Sequence, residues 1–214
     1  MTKINHHLDD DTLMAYATGS LPEAFNLIVA AHVSMCDVCR AAADSFDTLG
    51  GAVLEEEDVA SLSETSLART LAQLKERYAE VPATRRPAGA LPAPLQDYVG
   101  GDLDAIRWRP VGMGVKQAIL KTSTRATARL LFIPAGAAMP DHGHHGTEMT
   151  LVLQGAFHDD DEVFARGDIE IADSDVQHIP VADIACDCIC LAVTDAPLRF
   201  AGWLPRLVQK FVRI

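Results

Sequence analysis

The chain has 214 residues, 49% of them hydrophobic and 22% charged, with 18 Lys and Arg against 30 Asp and Glu for a formal charge of -12. This composition excludes disorder of the whole chain, and so negative a charge argues against a phosphate backbone as a direct partner; a basic partner fits better. No apolar run approaches the ~18 residues of a bilayer span, and the opening MTKINHHLDDD lacks the apolar core of a signal peptide, so a cytoplasmic protein without a membrane partner is expected. In that compartment Cys36, Cys39, Cys186, Cys188 and Cys190 stay reduced, and their spacings point to metal or redox chemistry.

The sharpest shift in composition is VPATRRPAGALPAP from Val81 to Pro94, which carries four prolines. It divides the chain into a helical domain over 1–80, a Pro-rich linker over 81–95 and a β domain over 96–214. Residues 1–80 hold 14 acidic and 5 basic side chains, net -9, and residues 81–214 hold 16 and 13, net -3, so the acidity lies mostly in the first domain.

In chain order, Asp9 to Asp11 cap a short helix over Leu13 to Thr18 that stops at Gly19. Ser20 opens a second with Pro22 in its first turn and Glu23 completing a capping box, its apolar positions being Phe25, Leu27, Ile28, Ala31 and Met35. A third runs from Asp37 to Leu49 and ends at Gly50-Gly51. A fourth follows Ser61, with Leu67, Leu71, Leu74 and Tyr78 as one stripe. Together they predict a small four-helix bundle. Beyond the linker the period changes: short apolar or β-branched runs at Ala128–Ile133, Met149–Leu153, Ile169–Ile171 and Cys186–Val193, separated by Gly, Pro and Asp, predict an all-β barrel or sandwich. The last sixteen residues, from Arg199, are basic and amphipathic and suit a final strand or a short helix.

His32, Cys36 and Cys39 stand at i, i+4 and i+7, on one face of a continuous helix. Zn2+ takes four tetrahedral Cys and His ligands, so a fourth is needed, and His6 or His7 is the available donor. A buried helical histidine beside two small apolar cysteines is the plain alternative. A thioredoxin-like redox pair is another, but it belongs beside a βαβ pattern.

In the β half, His142, His144 and Glu148 follow Gly136 at spacings of two and four, and on a strand they share a face, so a barrel interior could gather them around an ion. His178, after Gly167, comes into reach as a fourth donor. Three imidazoles and a carboxylate suit Zn, Fe, Mn, Ni or Cu. His145 is expected either as an exposed residue or as a neighbour supporting the ligands from behind, and His158, among Asp159 to Glu162, in a solvated loop. Cys186, Cys188 and Cys190 alternate along one strand; they are three small core residues or a thiol redox set near the metal.

These motifs resemble known families. The amino-terminal His followed by HVSMCDVC is similar to the zinc-binding anti-sigma domain, and G-x5-HxH-x3-E-x6-G from Gly136 to Gly155 resembles the first cupin motif. The second motif, G-x5-D-x-D-x2-H, departs at Asp173 and Asp175, where many cupins have Pro and Gly, but keeps His178. Their pairing resembles the ChrR type of anti-sigma factor over nearly the whole chain. The resemblance implies an α + β two-domain protein, a zinc-binding helical bundle and a cupin β-barrel. It implies Zn2+ on His7, His32, Cys36 and Cys39, favouring His7 over His6, and a divalent metal, Zn2+ foremost, on His142, His144, Glu148 and His178. It also implies a non-enzymatic regulator that binds an extracytoplasmic-function, RpoE-like sigma factor, one to one in the simplest case, and releases it on oxidative stress of the singlet-oxygen type sensed through the cupin.

Two readings come from the residues beside it. The acidic first domain suits the basic DNA-binding surface of a sigma factor, and the stripe of Leu67, Leu71, Leu74 and Tyr78 suits part of its interface as well as it suits bundle core. The competing functions are a metal-dependent cupin dioxygenase or isomerase with a helical accessory domain, and a metal-trafficking or metal-sensing module.

Overall fold

A computed structural model describes residues 3–77 and 89–200. Four helices come first: α1 (Asp10–Ala17), α2 (Glu23–Val33), α3 (Asp37–Glu56) and α4 (Ser66–Arg77). The Asp9 carboxylate caps α1 by accepting from the Thr12 N–H at 2.6 Å, and Gly19 just beyond it adopts a left-handed φ of +66°. The expected capping box on α2 does not form. The Ser20 hydroxyl donates back to the Ala15 carbonyl, while the Glu23 carboxylate accepts from the Tyr98 hydroxyl at 2.8 Å and the Ser123 N–H at 2.6 Å. Two partners distant in sequence thus take the group that local pattern assigns to the cap.

Two further expectations are corrected here. The third helix does not stop at Gly50-Gly51 but continues to Glu56, because neither glycine takes the left-handed φ that closes a helix. Nor do His32, Cys36 and Cys39 share one continuous helix. The first helix of the pair ends at Val33, and Cys36, extended at φ -109° and ψ 109°, is the N-cap of the next. Cys36 Sγ accepts from the Cys39 N–H at 3.5 Å, as a capping side chain does.

The predicted linker ends in structure. A fifth helix, α5 (Ala93–Val99), starts after Pro92 and packs on α2. Residues 78–88, with Tyr78 and most of the linker, lie outside the described residues, as does the chain after Phe200.

The β half contains β1 (Arg109–Gly112), β2 (Val115–Ile119), β3 (Thr127–Ile133), β4 (His142–Gly143), β5 (Glu148–Gln154), β6 (Ala156–Asp159), β7 (Glu162–Ala165), β8 (Ile169–Ala172), β9 (Gln177–His178), β10 (Val181–Ala182), β11 (Cys188–Thr194) and β12 (Arg199–Phe200). An antiparallel sheet in the order β1-β2-β3-β11-β5-β8 is accompanied by two three-stranded sheets, β10-β6-β7 and β12-β4-β9. Among the described residues these three sheets do not join into a closed ring. His158 lies in β6 rather than in a loop, its Nε2 3.0 Å from Asp183 Oδ2.

Both faces of the large sheet are covered, which explains why β5 and β11 are apolar almost throughout rather than alternating. On one face Leu130, Leu151, Leu191 and Val193 join Phe25, Leu27, Ile28 and Val29 of α2 in a single core. On the other, Leu131, Ile133, Val152, Cys188 and Cys190 pack with Phe157, Phe164 and Ala182. Truncating Leu191, fully buried at the centre of β11, leaves a cavity facing the helices. Leu191→Ala is expected to cost about 3 kcal/mol, read as a lowered urea midpoint at unchanged m-value.

Candidate metal centres

The first cluster sits at the corner between α2 and α3. His32, fully buried in the last turn of α2, places Nε2 3.2 Å from Cys39 Sγ. His7, just before the N-cap of α1, brings Nδ1 to 3.3 Å from Cys36 Sγ and 3.6 Å from Cys39 Sγ. One donor atom from each residue falls within 4.8 Å of all the others, the span of a tetrahedral site. His6 is not in this group: its ring lies tilted against Phe164 with centroids 4.2 Å apart and its Nδ1 is 3.6 Å from Asp168 Oδ1.

The electrostatics fit a cation. Burial lowers His32 to about 4, against the pull of the Gly167 carbonyl, so the imidazole is neutral and can ligate. Burial likewise raises Cys39 to about 11, so the thiol keeps its proton until something positive displaces it. Two thiols and two imidazoles packed this closely in a mostly apolar corner are the donor set of structural zinc.

The second cluster lies in the β half, although its residues do not share one strand as spacing suggested. His142 is on β4 and is registered directly opposite His178 of β9; the chain then bends through Gly146, and Glu148 opens β5 in the large sheet. His178 Nε2 lies 3.1 Å from His144 Nε2 and 3.2 Å from His142 Nε2. Acceptors stand behind two of the opposite nitrogens, the Pro140 carbonyl 2.9 Å from His142 Nδ1 and Asp159 Oδ2 2.7 Å from His178 Nδ1, and Glu148 Oε2 lies 3.1 Å from His144 Nδ1 as its charge partner. The three Nε2 atoms converge, an arrangement that a metal cation relieves.

Glu148 therefore stands behind His144 rather than among the converging nitrogens, and Thr150 Oγ1 donates to its other oxygen at 3.3 Å. Burial pushes its carboxyl up, but the facing His144, His142 and His178 outweigh this and hold it below the ordinary range. Asp159, Glu170 and Arg129 were not anticipated from sequence. Asp159 falls in an acidic run that reads as a solvated surface, yet it accepts a hydrogen bond from His178 Nδ1 at 2.7 Å. Glu170, raised to about 9 by burial and by neighbouring Asp159, stays protonated and can donate to it. Arg129 is only 5% exposed, its Nε and Nη1 have no hydrogen-bond partner among the described residues, and Glu148 is a nearby countercharge.

The three β-domain cysteines separate. Cys186 precedes β11 and is exposed, so it does not line a face with the others; Cys188 and Cys190 point inward with their sulfurs 3.4 Å apart. The Cys188 contact and burial push the Cys190 thiol well above its ordinary value. Leu67, Leu71 and Leu74 are 70%, 49% and 46% exposed, so these members of the α4 stripe are not bundle core.

A His/Cys cluster in a helical unit, packed on a β half with a three-histidine cluster, defines a two-part protein with two candidate metal sites. The family model for the ChrR cupin-like domain matches residues 96–197. The chain is 56% identical over 211 residues to the anti-sigma-E factor ChrR of Cereibacter sphaeroides, covering 99% of both chains. A crystal structure of Rhodobacter sphaeroides SigE in complex with the anti-sigma ChrR is similar with a TM-score of 0.79 and 53% identity over 90% of this chain and 100% of that one. An RmlC-like cupin protein from Ralstonia eutropha superposes with a TM-score of 0.41 and 25% identity over 48% of this chain and 71% of its own. The protein belongs to the ChrR family of anti-sigma factors.

Removing the acceptor behind His178 tests the second centre. Asp159→Ala is expected to weaken the β-domain metal about 10- to 100-fold in a chelator competition while the His7–Cys39 site keeps its own.

Proposed function

We propose that this chain is an anti-sigma factor that holds an extracytoplasmic-function sigma factor in a one-to-one complex in the cytoplasm, acting as a regulator and not as an enzyme. The observation that carries the reading is the 56% identity to an anti-sigma-E factor across 99% of both chains. The metal corner is intact alongside it, and among the described residues no helix is long and apolar enough to cross a membrane.

His7, Cys36 and Cys39 with His32 would hold Zn2+, whose role is to cross-link the corner and supply folding free energy to a small helical unit. His32 and Cys39 are buried in the shared core, so the corner fixes the angle between α2 and α3. The long exposed end of α3, with Leu49, Val53 and Leu54, and the stripe Leu67, Leu71 and Leu74 of α4 then supply apolar surface for a partner. The net charge of -9 over residues 1–80 steers that surface toward the basic face of a sigma factor.

His142, His144 and His178 would hold the divalent metal of the cupin centre, Zn2+ being the reading from the family. Glu148 would join as a fourth ligand by rotating its carboxylate off His144. The cupin half is the proposed sensor of oxidative, singlet-oxygen-type stress. Cys188 and Cys190 are its buried thiol pair, and Cys186 is an exposed thiol apart from them.

The test is run-off transcription by core polymerase and the sigma factor encoded in the same genome. The full chain is expected to suppress it, with the complex eluting at one-to-one stoichiometry. Undiminished transcription at saturating chain, with the metal corner loaded, would reject the reading. Cys36→Ser with Cys39→Ser should lose the metal and relieve suppression. Leu71→Asp with Leu74→Asp should relieve it with metal and helix content retained; a folded double variant that still binds sigma would remove α4 from the interface.

A further inference from the structure

The segment that delivers His7 to the metal corner is held by the opposite half of the protein. Asp168, in the turn between β7 and β8, is 1% exposed. Its Oδ1 accepts the backbone N–H of Asn5 at 2.6 Å and of His6 at 3.0 Å, and its Oδ2 accepts the Ala165 N–H at 2.8 Å. Burial pushes this carboxyl up, yet the three N–H donors prevail and keep it ionised below its usual range. Across the same turn Gly167 has φ +97°, and a Cβ there would come within 2.6 Å of Ile4 Cδ1. The missing side chain lets Ile4 lie against the turn. The His6 ring closes on Phe164 of β7, and the Gly167 carbonyl faces the His32 ring. Residues 4–6 are thus clasped immediately before His7, and the clasp also touches His32.

We propose that Asp168 is a positioning residue for the helical metal site: its carboxylate pins the Asn5-His6 backbone so that His7 reaches Cys36 and Cys39, and the β7–β8 turn makes the site's integrity depend on the cupin half. Without the clasp His7 sits on a short segment that must be ordered against its own chain entropy, and the corner keeps His32, Cys36 and Cys39 as its firm ligands. The turn leads directly into β8, which carries Glu170 beside Asp159 and His178.

The proposal rests on the reading of His7, His32, Cys36 and Cys39 as a metal site, and Co2+ substitution of the full chain separates the two. Thiolate-to-cobalt charge transfer reports this site alone among the two centres, since the converging donors of the second are imidazoles. Asp168→Asn is nearly isosteric, but donors face both carboxylate oxygens, so its amide NH2 must oppose an N–H in either orientation. The variant is expected to lose the charge-transfer band to EDTA at least about tenfold faster than wild type and, at equal saturation, to show altered d–d bands as His7 leaves the ligand set. A general loss of stability does not change those bands. Ile4→Ala, which leaves the β half untouched, should accelerate loss in the same direction and by less. Wild-type rates and bands in both variants overturn the clasp alone. Failure of the wild-type chain to develop the band overturns the metal reading and the clasp with it.

Discussion

The second helix is apolar around almost its whole circumference: Ala24, Phe25, Leu27, Ile28, Val29, Ala31 and His32 are all buried. A helix of this kind cannot leave one side to water and has to be enclosed by separate layers. Here α1 and α3 cover part of it, α5 another part, and the face of β3, β5 and β11 the rest. Burying α2 on the cupin sheet is therefore the constraint from which the arrangement of the two halves follows. It explains why Glu23 at the start of this helix finds its partners in Tyr98 and Ser123, and why the chain after the linker returns to pack on it.

The same constraint locates the first metal corner. His32 lies in the last turn of α2 and shares its burial, so its imidazole loses the solvation that would let it carry a proton. The turn at Ser34 to Cys36 then directs Cys36 and Cys39 to the same point. Because α2 lies against the sheet, the site also meets the turn between β7 and β8, where Gly167 and Asp168 await the amino-terminal segment. A donor cluster that looks from its motif like the private property of the helices thus lies where the helical and β halves meet.

The cupin centre shows a different division of labour. Its three imidazoles are oriented from behind by a carbonyl and two carboxylates, and these acceptors come from places with no shared motif: Pro140 two residues before His142, Glu148 at the start of β5, and Asp159 at the end of β6. Glu170 adds a proton held by burial next to Asp159, and Arg129 adds a buried positive charge facing Glu148. Buried charges at this density are costly unless each has a partner, so the chemistry of the site is set as much by these supports as by the imidazoles.

Much was legible without coordinates because it is local or carried by spacing: the Asp9 cap and the Gly19 stop, the strand runs, the change of period at the linker, and the types of donor at each centre. The α + β class follows from hydrophobic period alone. Tertiary structure decided what depends on neighbours far along the chain. Glu23 leaves its capping box because Tyr98 and Ser123 offer better partners; Cys186 separates from Cys188 and Cys190 because β11 begins two residues later than the alternation suggested. His142 and Glu148 sit on different sheets because the chain bends between them. Asp168 meets Asn5 across 163 positions. A hydrogen bond of that separation leaves no periodic trace in sequence, since nothing local to either residue pays for it or reveals it, and only the folded core brings the two together.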